Sequence, residues 1–342
     1  MKAWQKPDTI IAHEWCWNSL AKRADIVLPC TTTLERQDIA MTPRDPYVVS
    51  MSKLIEPNGQ ARDDYDIFAG IAEEMGVGDA FTEGRSKLDW QRWIYEQTQD
   101  RAQAAKIDMP NYETFLKDGW FKLNDPVKPT VMLESFREDP VANPLDTPSG
   151  RIEIFSKTVA NFRYDDCPGH PVWQEPYEWL GRVDPRWPLH LISNQPKDKL
   201  HSQFDHGQIS RAKKVNSREP IHINPRDATA RHLKNGDVVQ VKNARGACLA
   251  GVVIDNALRE GVVQMSTGAW YDPEDPSKPN SICKHGNPNV LTRDKGTSKL
   301  GQGPTAHTCM VNLDLYKKLP PSVTAHKPPE ILRTEIKKHK EN

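Results

Sequence analysis

Two polar segments contain most of the side chains that can bind a charged or hydrogen-bonding ligand. The first, SNQPKDKLHSQ (193–203), follows a strand-like run and collects hydroxyl, amide, ammonium and imidazole groups. Ligands in α/β and barrel proteins commonly lie where strands end, so this segment predicts a binding loop. A polar loop that satisfies its own hydrogen bonds is the structural alternative, and the residues alone leave both interpretations open.

The second polar segment is HGNPNVLTRDKGTSKLGQG (285–303). Its glycines expose backbone N–H groups, and its asparagine, threonine, serine and glutamine side chains add further donors and acceptors. Such groups can surround a phosphate, and amides can pair with the edge of a purine. A solvated surface loop is the alternative interpretation.

Two further candidates are a pair of charged segments and an aromatic one. LERQD (34–38) and ARDDYD (61–66) offer arginine for a phosphate and aspartate for the N–H groups of a guanine. Taken alone, such charges are more often surface ion pairs. GAWYDP (268–273) can line a pocket, although packing at a strand end is slightly favoured.

Common catalytic and metal-binding patterns are absent from the sequence. There is no GxSxG, HExxH, P-loop or GxGxxG motif. The six cysteines show neither CxxC spacing nor zinc-finger spacing to histidine, which predicts isolated reduced thiols rather than an iron–sulfur or zinc site. No catalytic residue and no metal ligand is therefore assigned.

Composition narrows the class of protein. The 342 residues include 46 basic and 46 acidic side chains, so net charge gives no reason to expect a nucleic-acid partner. No apolar run approaches the ~18 residues of a membrane span, and no secretory signal is recognisable. The cytoplasm is the default compartment, and the periplasm becomes the alternative if the true N-terminus is missing.

The first half has the pattern of an α/β domain. TIIAHEW (9–15) and DIVLP (25–29) predict parallel strands around a short helix, WNSLAKRA (17–24). Two helices are expected next, with Gly76 as a stop and Ser86 as an N-cap. Their predicted inward residues are Ile67, Ile71, Ala72 and Met75 in the first helix, and Leu88, Trp90, Trp93 and Ile94 in the second.

Residues 99–185 are rich in proline and predict an irregular crossover with one strand, GRIEIFS (150–156). From about 186 the pattern changes to short strands separated by turns. Asn224 and Pro225 predict the start of a short helix between two of them. This alternation predicts a small β-barrel with inserted helices, followed by a surface or partly disordered tail over 316–342.

Taken in order, several segments resemble one enzyme family. ADIVLPCTTTLERQDIA, TPSGRIEIFS, REPIHINPRDATAR, NGDVVQVKNARG and GNPNVLTRDKGTS are similar to the C-terminal part of the dimethyl sulfoxide, trimethylamine N-oxide and biotin sulfoxide reductases, which use bis-molybdopterin guanine dinucleotide. The resemblance runs from residue 2 to about 316. GAWYDP, CKHGNPNVLT and the AHT at 306–308 look most like the biotin or methionine sulfoxide reductase branch.

The resemblance implies a fold and a division of the chain. Residues 1–185 correspond to the end of a doubly wound α/β domain with its crossover. Residues 186–316 correspond to a six-stranded double-psi β-barrel that binds the molybdopterin dinucleotide, and 317–342 to a tail. Matching positions imply these cofactor-binding residues: His13, Glu14, Arg36, Asp66, Ser193, Asn194, Gln195, Pro196, Lys199, His201, Asn289, Ala306 and His307. Lys199 stands where many members have arginine, which puts that contact in doubt.

The implied reaction is oxygen-atom transfer at molybdenum from a small S-oxide or N-oxide. In the family, the metal ligand comes from an N-terminal region that this sequence does not contain. We therefore expect binding of the cofactor without turnover by the chain alone, and activity only with the missing region, which a separate chain can supply. The alternatives are a stand-alone cofactor-binding module and a fragment without function.

Overall fold

The computed structural model describes residues 3–43, 45–123, 131–182 and 184–332. Within them the chain divides into two units. One unit comprises residues 7–143, and the other comprises the described residues of 144–342 together with the first few residues of the chain. Each unit has its own apolar core.

The unit 7–143 begins with two parallel strands, β1 (Ile11–Glu14) and β2 (Ile26–Pro29), as the sequence predicts. The helix predicted between them is only one 3-10 turn, Ala21–Arg23. Asn18 explains the shortening, because its side chain accepts hydrogen bonds from the backbone N–H groups of Leu20 and Ala21 (both 2.9 Å), so helical geometry begins only there.

An antiparallel sheet and five helices complete this unit. The strands are β3 (Asp38–Thr42), β4 (Asp45–Met51) and β5 (Trp120–Lys122). The helices are α1 (Asp64–Glu74), α2 (Gly78–Thr82), α3 (Lys87–Ala104), α4 (Tyr112–Asp118) and α5 (Glu134–Glu138). Ser86 caps α3 as predicted, through a reciprocal capping box with Asp89.

The predicted inward faces of α1 and α3 are only partly right. Ile67 and Ala72 of α1 are buried, but Ile71 and Met75 are exposed. In α3 the buried residues are Tyr95 and Ala102, because the Tyr95 ring stacks on Phe115 of α4 (centroids 4.7 Å apart) and so sets the orientation of the helix. The predicted residues Leu88, Trp93 and Ile94 are exposed and Trp90 is half-buried.

The other unit contains the predicted barrel. Its strands are β6 (Leu189–Ile192), β7 (Pro220–Ile223), β8 (Val238–Lys242), β9 (Ala247–Ile254), β10 (Val262–Gln264) and β11 (Cys309–Leu315). They close into a ring in the order β10-β6-β11-β8-β9-β7. The β6/β10 and β7/β9 pairs are parallel and the other four are antiparallel. Buried aliphatic side chains such as Leu191, Ile221 and Val241 fill the interior.

The barrel unit also contains short helices: α6 (Lys157–Asn161), α7 (Gln208–Ala212), α8 (Pro225–Ala230) and a 3-10 turn at Pro288–Val290. Asn224 caps α8 by accepting a hydrogen bond from the Arg226 N–H (2.8 Å), as predicted. Pro225 occupies the first turn, also as predicted, where a missing N–H costs nothing.

Two expectations for this unit fail. GRIEIFS forms no strand: the Leu145 N–H bonds the Gly150 carbonyl and leaves Ile152 and Ile154 exposed. The described part of the tail does not lie wholly on the surface, because Ala325 is buried and Thr324 bonds to Asp272 through both its N–H (2.6 Å) and its hydroxyl (2.7 Å).

Candidate functional site

The binding loop 193–203 and the aromatic segment 268–273 are neighbours. They follow β6 and β10, which run parallel, so both leave the barrel at the same end. The Thr267 N–H donates to the Asn194 carbonyl (2.9 Å), and the Ser266 hydroxyl donates to Asn194 Oδ1 (3.3 Å). The amide of Asn194 is therefore fixed by the second loop.

Gly268 allows the two loops to approach each other closely. Its φ is +96°, and a Cβ built there would lie 1.7 Å from the carbonyl oxygen of His201. The next contact is also between the loops, because the Trp270 indole N–H donates to the Ser202 carbonyl (2.8 Å). Trp270 is largely buried, so packing at a strand end, the favoured interpretation of GAWYDP, is confirmed.

Four buried charged residues lie beneath these loops and form what we call the charge quartet: Lys199, Asp205, Lys214 and Glu219. Asp205 Oδ1 accepts from Lys199 and Lys214 (both 2.7 Å), and Glu219 Oε2 accepts from the same two ammonium groups, from Lys199 at 2.9 Å. All four side chains are at most 7% exposed. Two positive and two negative charges balance inside the quartet, which satisfies them without solvent.

Asp205 also belongs to a cluster with His285 and His326 whose ligand atoms lie within 4.8 Å of one another. This spacing is compatible with a metal ion, and the sequence spacing gave no sign of it. However, Asp205 Oδ2 already accepts from the Trp270 N–H (3.1 Å) and His326 Nε2 (3.0 Å). Two ammonium groups on the other oxygen would repel a cation. We interpret the cluster as a hydrogen-bond network that anchors the tail.

His285 is held neutral in this network. Its side chain is fully buried, and Nδ1 donates to the Trp270 carbonyl (3.0 Å), while Nε2 has no hydrogen-bond partner. Burial, assisted by the positive charge of Lys214, lowers the pKa of His285 to about 3. In an unfolded chain the pKa of a histidine is ~6.5. Below that pH the unfolded state therefore binds a proton at His285 that the folded state does not bind.

Stability should therefore fall as the pH drops from about 6.5 toward about 3. We expect the urea midpoint of the full chain to be lower at pH 5.5 than at pH 7.5, and we expect His285→Gln to reduce this difference. His170→Gln, a change at an exposed histidine, serves as the control and should keep the parental difference. An equal pH difference in the His285 variant would contradict the assignment.

A cavity of about 460 Å³ opens beside the charge quartet. Its wall includes Asn194 together with Lys197, Lys213, His222 and Gln264. Both Lys197 and Lys213 are exposed. A further lining residue is Ser210, whose hydroxyl is buried without a hydrogen-bond partner. Asp198, Glu219 and Asp255 also line the cavity, so its acidic and basic side chains balance. Its ammonium, amide and unsatisfied hydroxyl groups suit a polar ligand that forms hydrogen bonds.

The other residues predicted for cofactor binding in this unit fall into two groups. Ser193 is buried, Gln195 and Pro196 continue the loop, and Lys199 donates its hydrogen bonds to Asp205 and Glu219 of the charge quartet. Ala306 and His307 precede β11, whose register pairs Cys309 with Leu191, so they lie near the end of β6. The carbonyl of His307 contacts His190 Nε2 (2.6 Å).

Asn289 is exposed on the 3-10 turn, in which Pro288 is buried, beside the β8–β9 turn. The Leu291 carbonyl that follows it accepts from Asn243 Nδ2 (2.8 Å), and the same Nδ2 donates to the Met310 carbonyl (3.1 Å). Met310 belongs to β11, so Asn289 is placed near the start of that strand, next to the segment 306–307. The structure thus brings the predicted barrel residues toward one end of the barrel.

In the unit 7–143 the predicted residues collect around the start of α1. His13 Nδ1 lies 3.1 Å from Asp64 Oδ1, and Asp66 Oδ2 accepts from Lys87 (2.8 Å). Arg36 donates to the Thr31 carbonyl (3.0 Å) just after β2. Glu14 ends β1, and its carbonyl accepts from the Cys30 N–H (3.3 Å).

Asp63 links these residues and was not singled out for this role. It accepts from the Thr31 hydroxyl (2.7 Å) and from Lys87. Burial alone would raise the pKa of Asp63, but these two hydrogen bonds lower it. The acidic run at 61–66 was a visible signal, whereas Lys87, 21 residues after Asp66, carried none.

Two known families match segments of the chain that contain the two groups of predicted residues. The Molydopterin dinucleotide binding domain matches residues 189–310, and the Molybdopterin oxidoreductase family matches residues 1–74. The dimethyl sulfoxide/trimethylamine N-oxide reductase of Cereibacter sphaeroides is 42% identical over 334 residues. The chain carries domains of the molybdopterin oxidoreductases. Its cofactor is a molybdopterin, as the resemblance implied.

Other relatives extend the similarity along nearly the whole chain. The trimethylamine-N-oxide reductase of Haemophilus influenzae is 42% identical over 96% of the chain, and the biotin sulfoxide reductase of Cereibacter sphaeroides is 43% identical over 92%. The chain spans about 40% of the length of these molybdopterin oxidoreductases, with 40%, 41% and 42% covered in the three cases.

A solved structure supports the fold. Acetylene hydratase from Pelobacter acetylenicus superposes with a TM-score of 0.67 over 92% of this chain and 41% of that chain, at 19% identity. The likeness confirms the predicted combination of an α/β part with a β-barrel. At this sequence identity it is evidence for the fold and not for the function. Among the described residues, no helix is both long and apolar enough to cross a membrane.

Proposed function

We propose that the chain binds bis-molybdopterin guanine dinucleotide as part of a molybdenum-dependent reductase of small S-oxides or N-oxides. The observation that carries this proposal is the polar cavity beside Asn194, because it lies within the segment matched by the dinucleotide-binding domain. The printed activities of the relatives supply the substrate class: dimethyl sulfoxide, trimethylamine N-oxide and biotin sulfoxide.

The residues around the cavity fit such a ligand. Lys197 and Lys213 would bind phosphate oxygens, since ammonium groups form charge-assisted hydrogen bonds with them. Asn194 and the unsatisfied hydroxyl of Ser210 would bind polar ring atoms. Asn194 is held by Ser266, so its amide is oriented before the ligand arrives. We propose that 186–316 forms the pterin-binding domain on this basis.

A second group of contacts is proposed for residues 1–185. Asp66, ion-paired through one oxygen with Lys87, would accept N–H bonds from a guanine, and Arg36 would contact a phosphate or ribose oxygen. His13 and Glu14 lie at the end of the parallel strand β1, where nucleotides commonly bind in α/β sheets. Only the matched positions and the placement of these side chains support this part.

The chemistry that this cofactor supplies when bound is two-electron oxygen-atom transfer. The contribution of this chain would be to bind and orient, and no proton-transfer step is assigned to its residues. Apolar side chains of the first unit, including Ile11, Ile26 and Phe68, are about half exposed. We propose that further protein, in the same or a separate chain, covers them in the complete reductase and supplies the metal ligand.

Native material provides the direct test. We would purify the protein from its source and measure intact mass, molybdenum and the fluorescence of the oxidised pterin. Stoichiometric pterin and metal in an assembly that contains this chain would support the proposal. A preparation of 342 residues without pterin, which also fails to bind added cofactor, would refute it.

Two exposed lysines allow a sharper test of the cavity. We expect Lys197→Ala and Lys213→Ala each to weaken cofactor binding by about 10-fold or more, because each removes a charge-assisted hydrogen bond of ~1.5–3 kcal/mol. Lys234→Ala, at an exposed lysine outside the cavity, is the matched control. Equal affinities in all three variants would place the cofactor elsewhere.

A non-catalytic cofactor-binding module is the second candidate, because the site provides binding groups and no assigned catalytic residue. An assay of sulfoxide reduction with methyl viologen as the electron donor distinguishes the two candidates. We expect no turnover by the 342-residue chain alone under either. Turnover after addition of the part of the relatives that this chain does not span would favour the reductase. Tight cofactor binding without any restorable turnover would favour the module.

A further inference from the structure

A second polar cavity, which we call the basic pocket, lies on the barrel unit and has a volume of about 900 Å³. Three segments form it: α7 with the residues after it, the turn at 215–218, and the described tail at 320–327. It shares Lys214 with the proposed cofactor cavity and is otherwise lined by different residues. Neither the family matches nor the predicted site residues assign a role to it.

The charged side chains that line the basic pocket are positive. Arg211, Arg218 and Lys327 line it, and its described lining residues include no aspartate or glutamate. Lys214 also reaches the wall, but Asp205 and Glu219 neutralise it. Three positive charges therefore remain without a matching negative group in the wall.

Arg218 is the most informative of the three because it is buried, with only 5% of its surface exposed. Its two terminal nitrogens donate to the carbonyls of Asn216 and Pro321 (both 2.6 Å), while Nε has no hydrogen-bond partner among the described residues. Carbonyl oxygens satisfy N–H groups but leave the positive charge uncompensated. Across the part of the chain that the structure describes, no carboxylate lies within ion-pair distance of Arg218.

This arrangement is unfavourable unless an anion binds nearby. Burial lowers the pKa of Arg218, because the charged guanidinium loses its hydration when it is buried. Asp272, which acts on Arg218 from a greater distance, is itself ion-paired with Lys284 (3.4 Å). Buried cations are ordinarily paired with an anion, and here the protein provides none in contact.

The backbone fixes Arg218 in place. Val215 and Arg218 exchange two backbone hydrogen bonds of 2.9 Å across a two-residue turn. Asn216 and Ser217 occupy this turn with positive φ values of 49° and 63°. The tail contributes the Pro321 carbonyl, which accepts from one terminal nitrogen, while the Asn216 carbonyl of the turn accepts from the other. The guanidinium is thus held by two segments before any ligand binds.

We propose that the basic pocket binds the phosphate group of a small phosphorylated molecule. A doubly charged phosphate matches several converging cations better than a single carboxylate does, and guanidinium groups suit its oxygens. The volume exceeds that of one phosphate, so the remainder of the pocket accommodates the rest of the molecule. The site is separate from the proposed cofactor cavity and goes beyond the proposed function.

Titration calorimetry of the full chain tests this proposal, with inorganic pyrophosphate as the first probe and adenosine diphosphate as the second, in matched chloride. We expect saturable binding that the double variant Arg211→Ala/Lys327→Ala weakens at least about 10-fold. Both side chains are exposed, so the variant should fold. Lys234→Ala, which removes one positive charge elsewhere on the unit, should change the affinity less than about 2-fold. Arg218→Lys, which keeps the charge but loses the guanidinium, should also weaken binding.

The outcomes separate the sources of the phosphate. Tighter binding of adenosine diphosphate supports an organic phosphate, and equal binding supports an inorganic one; both support the site. Absence of saturable binding, or equal weakening by Lys234→Ala, would overturn the proposal. Loss of binding in Lys197→Ala with retention in the double variant would assign the anion to the cofactor cavity and would also overturn it.

Discussion

Asp205→Asn is expected to lower the free energy of unfolding of the barrel unit by about 3–5 kcal/mol, because removing one member of a buried ion-pair group leaves the others uncompensated. Lys199 and Lys214 would then share the single carboxylate of Glu219. The Trp270 N–H and His326 would lose a charged acceptor at the same time.

Urea unfolding followed by tryptophan fluorescence measures this effect, since Trp270 contacts the His326 ring in the same network (centroids 5.2 Å apart). Asp314→Asn is the matched control: Asp314 pairs with Lys242 at the surface (2.6 Å), and such pairs contribute less than about 1 kcal/mol. A loss in Asp205→Asn no larger than in Asp314→Asn would show that the charge quartet does not stabilise the fold.

The pKa of Asp205 gives the same network a pH dependence. Burial alone would raise this pKa, but the hydrogen bond from His326 and the charges of Lys214 and Lys199 hold it far below its usual value. A carboxyl with a depressed pKa stabilises the fold fully above its unfolded value of ~3.9 and loses that contribution as the pH falls further. The Asn variant should therefore resemble the parent more closely at pH 3 than at pH 7.

Gly268→Ala is expected to have the second large effect, a loss of about 3 kcal/mol or more in the free energy of unfolding together with loss of cofactor binding. The new Cβ would lie 1.7 Å from the His201 carbonyl, so the two loops must separate. Separation would break the bond from Trp270 to Ser202 and release Asn194 from its fixed position. Overpacking and backbone strain act together at this position.

Gly236→Ala is the control that separates the backbone part of this effect from the steric part. Gly236 also has a positive φ, +87°, but a Cβ built there would meet nothing within 4 Å. Only the left-handed backbone then disfavours alanine, at a cost of about 1–2 kcal/mol. We expect this variant to retain cofactor affinity. If both variants lost stability equally, the contact with His201 would not be what requires glycine.

The barrel was predictable from the sequence because its strands are short apolar runs between glycine or asparagine turns. Asn224 and Ser86 also predicted their helix caps correctly, since capping depends on residues two or three positions apart. The inward face of α3 was not predictable in this way. Two apolar stripes compete on that helix, and the packing of Tyr95 on Phe115 selects one of them.

The candidate site was predictable as loops but not as a network. The polar character of 193–203 and the acidic run at 61–66 were visible locally. The role of Lys199 was not, because its partners Asp205 and Glu219 are brought together only by closure of the fold. Likewise, nothing in the sequence around His326 indicates that it reaches Asp205, 121 residues earlier. Electrostatic pairing over such separations needs the folded structure.

The position of β6 in the ring has a consequence for how the protein folds. This strand comes first along the barrel, yet its partners β10 and β11 come last: Leu191 pairs with Val263 and with Cys309. Pairings across such long loops form slowly, because loop-closure entropy must be overcome before they stabilise the chain. Until then β6 has two unsatisfied edges that can pair with another molecule. Refolding of the barrel should therefore be slow, and its yield should decline as protein concentration rises.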